Sequence, residues 1–182
     1  MSEVKTKIIQ ATLDSIAELG ASQLSLRDIS ARASVALSQI HYHFQSKENL
    51  IAVAANTLID QLVEELLAEL EGIQDPLDRT IRTIDFIYQK QITKSPFVRI
   101  YFELAIMSFS NPLLKDHVKQ IHQRVIDCMT GKEISLSLRH PELGIYMSIF
   151  LDGVAFQTFH ETSPEEINFS YQLFLETIKK HF

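Results

Sequence analysis

The sequence contains few of the residues that build disulfides or cysteine metal sites. Its 182 residues include one cysteine, Cys128, and no tryptophan. A single cysteine excludes an intramolecular disulfide and a multi-cysteine metal site, and it fits a reducing compartment. His41 and His43 lie two residues apart and diverge on a helix, so they do not predict a zinc site. We therefore expect no metal and no other cofactor.

Long apolar runs and strand signals are also missing. No uncharged apolar stretch reaches the roughly 20 residues of a membrane span, and Lys5 and Lys7 lead into an amphipathic pattern rather than a signal peptide. No Asn-Gly or Asp-Gly turn joins alternating runs, whereas apolar residues recur at helical spacing. Nucleophile elbows, Gly-rich phosphate loops and His-Glu-x-x-His motifs are absent. These absences predict a soluble, cytoplasmic, all-α protein that is not a membrane protein, and they favour a protein that is not an enzyme.

The acidic charge lies outside the first 50 residues. The net charge of the chain is −6, but residues 1–50 hold five basic and five acidic side chains. The rest of the chain therefore carries the whole acidic excess. A neutral N-terminal head on an acidic body suits a protein that touches DNA only through the head.

The five prolines mark helix starts. Each follows a residue that can cap a helix or end a turn, and proline suits the first helical position because its missing N–H has no partner there. Together with the apolar periodicity, they predict nine helices, near residues 4–19, 26–33, 38–44, 47–71, 76–92, 96–108, 112–130, 141–160 and 164–181. We predict an all-α fold with a helix-turn-helix domain over 1–50 and a larger helical domain over 51–182.

Residues 25–50 have the pattern of a helix-turn-helix followed by its supporting helix. Ser25 can cap the second helix, while Ile40 and Phe44 lie four residues apart and point inward from the third. The residues left on the outer surfaces of the third helix are hydrogen-bonding groups that suit base edges and phosphates, namely Ser38, Gln39, His41 and Tyr42. Lys47 stands at the start of the fourth helix, where the positive helix end also attracts a phosphate. The pattern predicts double-stranded DNA as a partner.

The same region resembles the DNA-binding domain of the TetR family of regulators. The likeness spans residues 8–51 and runs through Gly20, Ser25-Leu26-Arg27-Asp28-Ile29, Val35, Ile40-His41-Tyr42-His43-Phe44 and Ser46-Lys47-Glu48-Asn49-Leu50. It implies that Tyr42 and Lys47 contact phosphates and that Gln39 and His41 approach bases. The full set expected on DNA is Ser25, Arg27, Leu37, Ser38, Gln39, His41, Tyr42 and Lys47.

Four positions depart from the usual residues of that family. Ser34 and Ser38 stand where Gly is common, Ala36 where Ser is common and His41 where Tyr is common. Ser34 indicates a turn that tolerates a side chain. Ala36 removes a helix cap worth ~1 kcal/mol. These departures affect the DNA sequence that is recognised more than the fold.

The resemblance implies that residues 51–182 bind a small molecule and dimerise through the last two helices. The helix from Pro96 is almost entirely apolar, and Arg99 and Glu103 are spaced to pair along it. With neighbouring helices it predicts a largely apolar pocket with a few polar contacts. The candidate lining residues are Phe86, Tyr88, Gln89, Phe97, Arg99, Tyr101, Phe102, Glu103, Met107, His122, Val125, Met129 and Asp152. The alternative is that these aromatics are ordinary core and that His122 is a structural histidine.

Dense apolar faces on the last two helices predict a homodimer. A twofold pair of these helices would form an isologous four-helix interface, with Gly153 allowing close approach of backbones. The residues expected in it are Ile145, Ile149, Gly153, Phe156, Ile167, Tyr171, Phe174 and Ile178. Phe182 continues the repeat, and Phe169 and Leu173 widen it. Burial of the same residues within one chain is the alternative.

These features favour a ligand-responsive repressor that binds an inverted-repeat operator as a homodimer and is released by a small, largely apolar molecule. Two other functions remain open at this stage. A small all-α enzyme acting on a hydrophobic substrate would use Glu103, His122 or Asp152, although no catalytic motif surrounds them. A helical adaptor protein would use the apolar C-terminal face to bind another protein.

Overall fold

The computed structural model describes residues 2–130 and 142–181, and within these ranges the chain forms nine α-helices and no strand. The helices are α1 Glu3–Leu19, α2 Leu26–Arg32, α3 Leu37–Phe44, α4 Lys47–Glu69, α5 Pro76–Ile92, α6 Pro96–Ser108, α7 Pro112–Met129, α8 Glu142–Phe159 and α9 Pro164–His181. A short 3-10 turn, Ala21–Gln23, follows α1 and was not predicted. The all-α prediction is confirmed. The predicted helix start at Pro141 and the position of Phe182 lie outside the described residues.

Side-chain caps explain where the proline-led helices begin. In each case the residue before the proline accepts a backbone N–H from the first turn, which satisfies a donor that has no partner inside the helix. Asp75 Oδ1 accepts the Asp78 N–H at 2.9 Å, and Ser95 Oγ accepts the Val98 N–H at 3.4 Å. Asn111 Oδ1 accepts the Leu113 N–H at 3.1 Å, and Ser163 Oγ accepts the Glu166 N–H at 3.2 Å. These four starts were predicted from the same residues.

The chain packs into two compact units. Unit 1 contains residues 1–60 and 99–121, and unit 2 contains residues 61–98 and 122–182. The division falls inside α4, α6 and α7, so these three helices run from one unit into the other. The predicted domain division after residue 50 does not coincide with it.

Each unit has its own apolar core. In unit 1, α1, α2 and α3 pack against one another and bury Ile16, Ile29 and Phe44 completely. In unit 2, α5 packs along α8, α9 packs beside α8, and the shared core includes Ile84 and Leu151. In the part of the chain that is described, no helix is both long and apolar enough to cross a membrane.

Candidate functional site

The third helix exposes its polar side chains to solvent. Its inward residues Ile40 and Phe44 are fully buried, as their four-residue spacing predicts. The outward residues predicted to contact DNA are all exposed, namely Ser38, Gln39, His41 and Tyr42. The tyrosine ring is 79% exposed, although burying an aromatic ring is favourable. The helix therefore presents a polar surface with one aromatic ring to solvent, while its apolar side is buried in the core of unit 1.

The turn between α2 and α3 is held by backbone hydrogen bonds. The Val35 N–H donates to Ser30 O at 3.0 Å, and Ser34 has a φ of 54°. A positive φ is unfavourable for a residue with a side chain and costs a glycine nothing. This conformation gives a physical reason for glycine in related turns. The turn accommodates the Ser34 side chain, but its positive φ lowers the stability of the folded chain relative to a glycine at this position.

The start of α4 is fixed by two polar side chains. Ser46 Oγ accepts the Asn49 N–H at 3.1 Å, which confirms the predicted cap. The Asn49 side chain donates to Phe44 O at 2.9 Å and so ties the end of α3 to the start of α4. Lys47 is partly exposed in the first turn of α4. The sequence analysis gave Asn49 no role beyond its place in the family motif.

The remaining predicted DNA contacts lie around α2 and the start of α3. Ser25 caps α2 by accepting the Arg27 N–H at 3.2 Å, as predicted, and the Arg27 side chain is exposed. Leu37 is partly buried at the first position of α3. Ala36 provides no side-chain cap for α3, because a methyl group cannot accept a hydrogen bond. The eight predicted residues therefore all lie on α2, on α3, or at the start of α2 or α4.

Arg99 and Glu103 connect α6 to the end of α1 within unit 1. Arg99 Nε donates to Glu103 Oε1 at 3.2 Å, which confirms the predicted pair. Arg99 Nη1 also donates to Ala17 O at 2.8 Å, and the Ala21 N–H donates to Glu103 Oε2. A side chain at Gly20 would begin 3.3 Å from that carboxylate. We name this set of contacts the α1–α6 clasp.

The clasp gives Arg99 and Glu103 contacts that the sequence analysis did not predict, and their place in a ligand pocket stays a prediction. Both side chains form hydrogen bonds with backbone groups at the end of α1, and these groups have no partner within the helix. Sequence spacing predicted that the two residues pair, but it gave no sign of these acceptor and donor groups about 80 positions earlier in the chain. They serve unit 1 as a connection between helices.

The thirteen predicted pocket residues divide between the two units. Arg99, Tyr101, Phe102, Glu103 and Met107 belong to unit 1, and Phe86, Tyr88, Gln89, Phe97, His122, Val125, Met129 and Asp152 belong to unit 2. Gln89 and His122 are exposed, whereas Tyr88 and Met129 are buried in the core. The set is therefore not gathered in one compact unit.

Tyr88 packs in an aromatic stack that includes the α9 residue Tyr171. Their ring centroids are 3.7 Å apart and the rings are nearly parallel. The Tyr171 hydroxyl donates to the Asp85 carboxylate, and burial raises the pKa of both tyrosines. Tyr88 also lines a groove of about 430 Å³ with Ile92, Lys94, Thr158, Glu161, Thr162, Pro164 and Ile167. Phe86 is only partly buried and lies under the Lys90 ammonium, 4.9 Å from its ring centre.

Two polar groups of unit 2 have no hydrogen-bond partner among the described residues. Asp152 is partly buried on α8, and burial raises the pKa of its carboxyl to about 6 while His122 on α7 opposes that rise. No donor among the described residues reaches this carboxylate. Gln91, 6% exposed on α5, has a buried Oε1 without a partner. The sequence analysis chose the exposed Gln89 instead, although Gln91 shares the helix face of Ile84 and Ile87.

The predicted dimer residues separate into an exposed and a buried group. On α8, Ile145, Ile149, Gly153 and Phe156 are exposed, and Ile149 is 67% exposed. On α9, Ile167, Tyr171, Phe174 and Ile178 are buried within their own chain, which favours the alternative of burial within one chain. Their place in an interface stays a prediction. The outward apolar residues of α9 are Phe169 and Leu173. Periodicity identified the apolar face of α9 but not the partner that covers it.

The exposed residues of α8 and α9 border a groove on the surface of unit 2. It has a volume of about 410 Å³ and is lined by Ile149, Phe150, Gly153, Val154, Gln157, Thr162, Glu166, Ile167 and Ser170. Open space surrounds the position that a Gly153 side chain would take. Across residues 2–130 and 142–181, no group of three or more His, Cys, Asp or Glu side chains is arranged to hold a metal ion.

Sequence comparison connects the N-terminal region with a known family. Residues 8–54 match the family described as bacterial regulatory proteins, tetR family. Over 167 residues the chain is 23% identical to the HTH-type nicotine-responsive transcriptional repressor HdnoR of Paenarthrobacter nicotinovorans. That alignment covers 87% of this chain and 85% of the repressor.

The fold of the whole chain matches solved structures of regulators. A TetR-family transcriptional regulator described from a Rhodococcus species has a TM-score of 0.78 and 22% identity, covering 100% of this chain and 99% of that one. A transcriptional regulator from Saccharomonospora viridis, solved in complex with choline, has a TM-score of 0.76 and 20% identity. The match covers 100% of this chain and 97% of that one. Identities this low establish the fold alone. All three relatives are described as regulators and none as an enzyme.

Proposed function

We propose that this chain is a ligand-responsive repressor of the TetR family of bacterial transcriptional regulators, and that it binds an inverted-repeat operator as a homodimer. A small, largely apolar molecule releases it from DNA. A regulator of this kind acts on genomic DNA in the cytoplasm. The observation that carries the proposal is the polar surface of α3 above a fully buried apolar face.

The α3 surface supplies the groups that DNA recognition needs. Gln39 is exposed and can make a bidentate contact with an adenine edge in the major groove. Tyr42 and Lys47 are placed to bond phosphates, since one is an exposed hydroxyl and the other lies at a helix N-terminus. In a twofold dimer, two such helices reach successive major grooves about 34–36 Å apart. The predicted site is therefore an inverted repeat.

Gel shifts on the intergenic DNA that flanks the gene test this assignment. We expect Gln39→Ala to weaken operator binding about tenfold or more and to relax the choice of base at one position. Lys47→Ala is expected to weaken binding to all sequences and to reduce its salt dependence. Gln61→Ala and Lys119→Ala remove the same side-chain types from exposed positions on α4 and α7 and serve as controls. Normal binding by both test variants would contradict the assignment.

A small-molecule effector is supported by two of the relatives. One is named as nicotine-responsive and the other was solved with choline. Within this chain, the α1–α6 clasp supports a route by which such a ligand acts on DNA binding. Because α6 begins in unit 2 and is bonded to the end of α1 in unit 1, a shift of α6 would move α1 and the helices packed on it.

The homodimer is supported by the exposed apolar residues of the last two helices. Ile145, Ile149 and Phe156 on α8, and Phe169 and Leu173 on α9, are each more than half exposed. Large apolar side chains grouped on adjacent helices lose a favourable burial energy when they face water. An isologous interface would cover them on both protomers at once. The groove beside Gly153 provides a recess for a side chain of the second copy.

A further inference from the structure

The groove that Tyr88 lines is a cavity with both apolar walls and polar groups. It lies wholly within unit 2, has a volume of about 430 Å³ and is bordered by the end of α5, the end of α8 and the first turn of α9. Ile92 and Ile167 supply apolar walls. The volume suits a small organic molecule, since ligand pockets in proteins run from roughly 300 Å³ upward. We name it the Tyr88 groove.

Two hydrogen-bond donors line the groove from α5 and the turn after it. Tyr88 is 6% exposed, and burial raises the pKa of its hydroxyl, so the phenol keeps its proton. None of the described residues forms a hydrogen bond with that hydroxyl, although buried polar groups are ordinarily paired. Lys94 adds an ammonium, 5.7 Å from the centre of the Phe159 ring. A carboxylate is a group that an ammonium and a phenol hydroxyl can bind together.

The end of α8 and the turn into α9 supply acceptors instead. The Thr158 hydroxyl donates to Val154 O at 2.8 Å, and the Thr162 hydroxyl donates to Gln157 Oε1 at 2.6 Å. Because each hydroxyl has used its single hydrogen, only its oxygen lone pairs remain for a ligand. Glu161 is the one carboxylate among the described lining residues and adds a negative charge. An ammonium group, which has three donors and no acceptor, matches this side of the groove.

Both charged lining residues occupy turn positions at which glycine is usual. Lys94 follows the end of α5 with a φ of 51°, and Glu161 follows the end of α8 with a φ of 60°. This left-handed conformation is unfavourable for a residue with a side chain, which is why glycine is common at helix ends of this kind. The turns alone therefore do not explain the two side chains. What they share is the groove, to which they bring opposite charges.

We propose that the Tyr88 groove binds an apolar α-amino acid as a zwitterion. Lys94 and the Tyr88 hydroxyl hold the carboxylate, while Glu161 and the two threonine oxygens hold the ammonium. The apolar side chain of the ligand lies against Ile92 and Ile167. A ligand with only one charge would satisfy only one side of the lining, so the groove discriminates against it. This inference rests on the proposed ligand response and names the chemical class of the effector.

Truncated analogues test whether both ends of the ligand are recognised. Isocaproate is L-leucine without its amino group, and isoamylamine is L-leucine without its carboxylate. Hydrocinnamate and phenethylamine have the same relation to L-phenylalanine. Binding of each to the full-length protein is measured by calorimetry at about pH 7, where the amino acids are zwitterions. We expect at least one of the two amino acids to bind, about tenfold or more tightly than either of its truncated analogues.

Two variants assign each end of the ligand to a residue. Lys94→Met is expected to lower the affinity for the amino acid about tenfold, to that of its amine analogue, without weakening the amine. Glu161→Gln should lower the affinity for the amino acid to that of its acid analogue, without weakening the acid. Both side chains are exposed, so neither change disturbs the core. Lys179→Met and Glu176→Gln make the same changes at exposed positions of α9 and should leave binding unaltered.

The hydroxyl of Tyr88 is tested by Tyr88→Phe, which keeps the ring. This variant is expected to weaken binding of the amino acid and of its acid analogue but not of the amine. Amino-acid affinity that survives in Lys94→Met or in Glu161→Gln would overturn the proposal. So would an equal loss for the amino acid and both analogues in either variant, because a structural effect gives that pattern. Absence of binding by either amino acid up to about 10 mM would overturn it as well.

Operator binding by the same preparations separates this inference from the proposed function. It is measured without added compound. If the wild-type protein binds its operator but neither amino acid, the chain is still a DNA-binding regulator and the amino-acid assignment alone has failed. If it binds no DNA, the proposed function has failed as well.

Discussion

Replacing Asp152 by Asn is expected to stabilise the protein at neutral pH. The wild-type carboxylate is partly buried, no donor among the described residues bonds it, and burial raises its pKa from 3.8 to about 6. The asparagine side chain has the same shape and carries no charge that must be removed from water.

The direction and size of the effect follow from the two pKa values. Below pH 3.8 the carboxyl is protonated in both the folded and the unfolded chain, and it costs nothing. As the pH rises from 3.8 to about 6 the unfolded chain ionises first, so the free energy of unfolding falls. The difference corresponds to about 3 kcal/mol. Because the group is partly open to solvent, we expect about 2 kcal/mol to be measured.

Urea unfolding of wild type and Asp152→Asn, at fixed protein concentration from about pH 4 to pH 8, measures this difference. We expect the Asn variant to gain stability relative to wild type across this range and to keep a constant advantage above about pH 7. Asp116→Asn controls for the loss of one charge, and His122→Gln removes the titratable group that faces Asp152. A pH-independent difference, or a variant less stable than wild type at pH 8, would refute the reasoning.

Three further predictions concern the turn, the clasp and the dimer face. Ser34→Gly should raise the free energy of unfolding by about 1 kcal/mol, because the φ of 54° strains a residue with a side chain; no gain over Ser34→Ala in urea unfolding would contradict this. Glu103→Gln should cost about 1–3 kcal/mol and speed hydrogen exchange at the Ala21 amide, since an NH2 group replaces one of the two accepting oxygens and leaves one donor without an acceptor; unchanged exchange beside the exposed-site control Glu64→Gln would argue against the clasp. Ile149→Asp should give monomers in light scattering while the equally exposed Leu113→Asp does not; dimers in both variants would place the interface elsewhere.

Local chemistry determined what was predictable about the fold. Proline and its preceding cap residue are neighbours in sequence, so the starts of α5, α6, α7 and α9 followed directly from the printed residues. The inward pair Ile40 and Phe44 followed from helical spacing in the same way. These features depend on interactions between residues within about one helical turn of each other, and such residues can be recognised from their spacing in the sequence.

Features that depend on distant partners were not predictable. The clasp joins Glu103 to Ala21, and nothing near either residue reveals the other. The apolar face of α9 was recognised, but spacing cannot tell whether Tyr171 packs on its own chain or on a second copy. Gln89 and Gln91 have the same side chain, and only the packing of α5 shows that Gln91 is the buried one.

Sequence-specific DNA binding by a pair of chains is the central claim, and fluorescence anisotropy on the segment of flanking DNA that the gel shifts identify tests it most directly. We expect two chains to bind one inverted repeat, with an affinity at physiological salt about a thousandfold or more above that for a scrambled duplex. Equal affinity for the two duplexes, or saturation at one chain per site, would contradict the account.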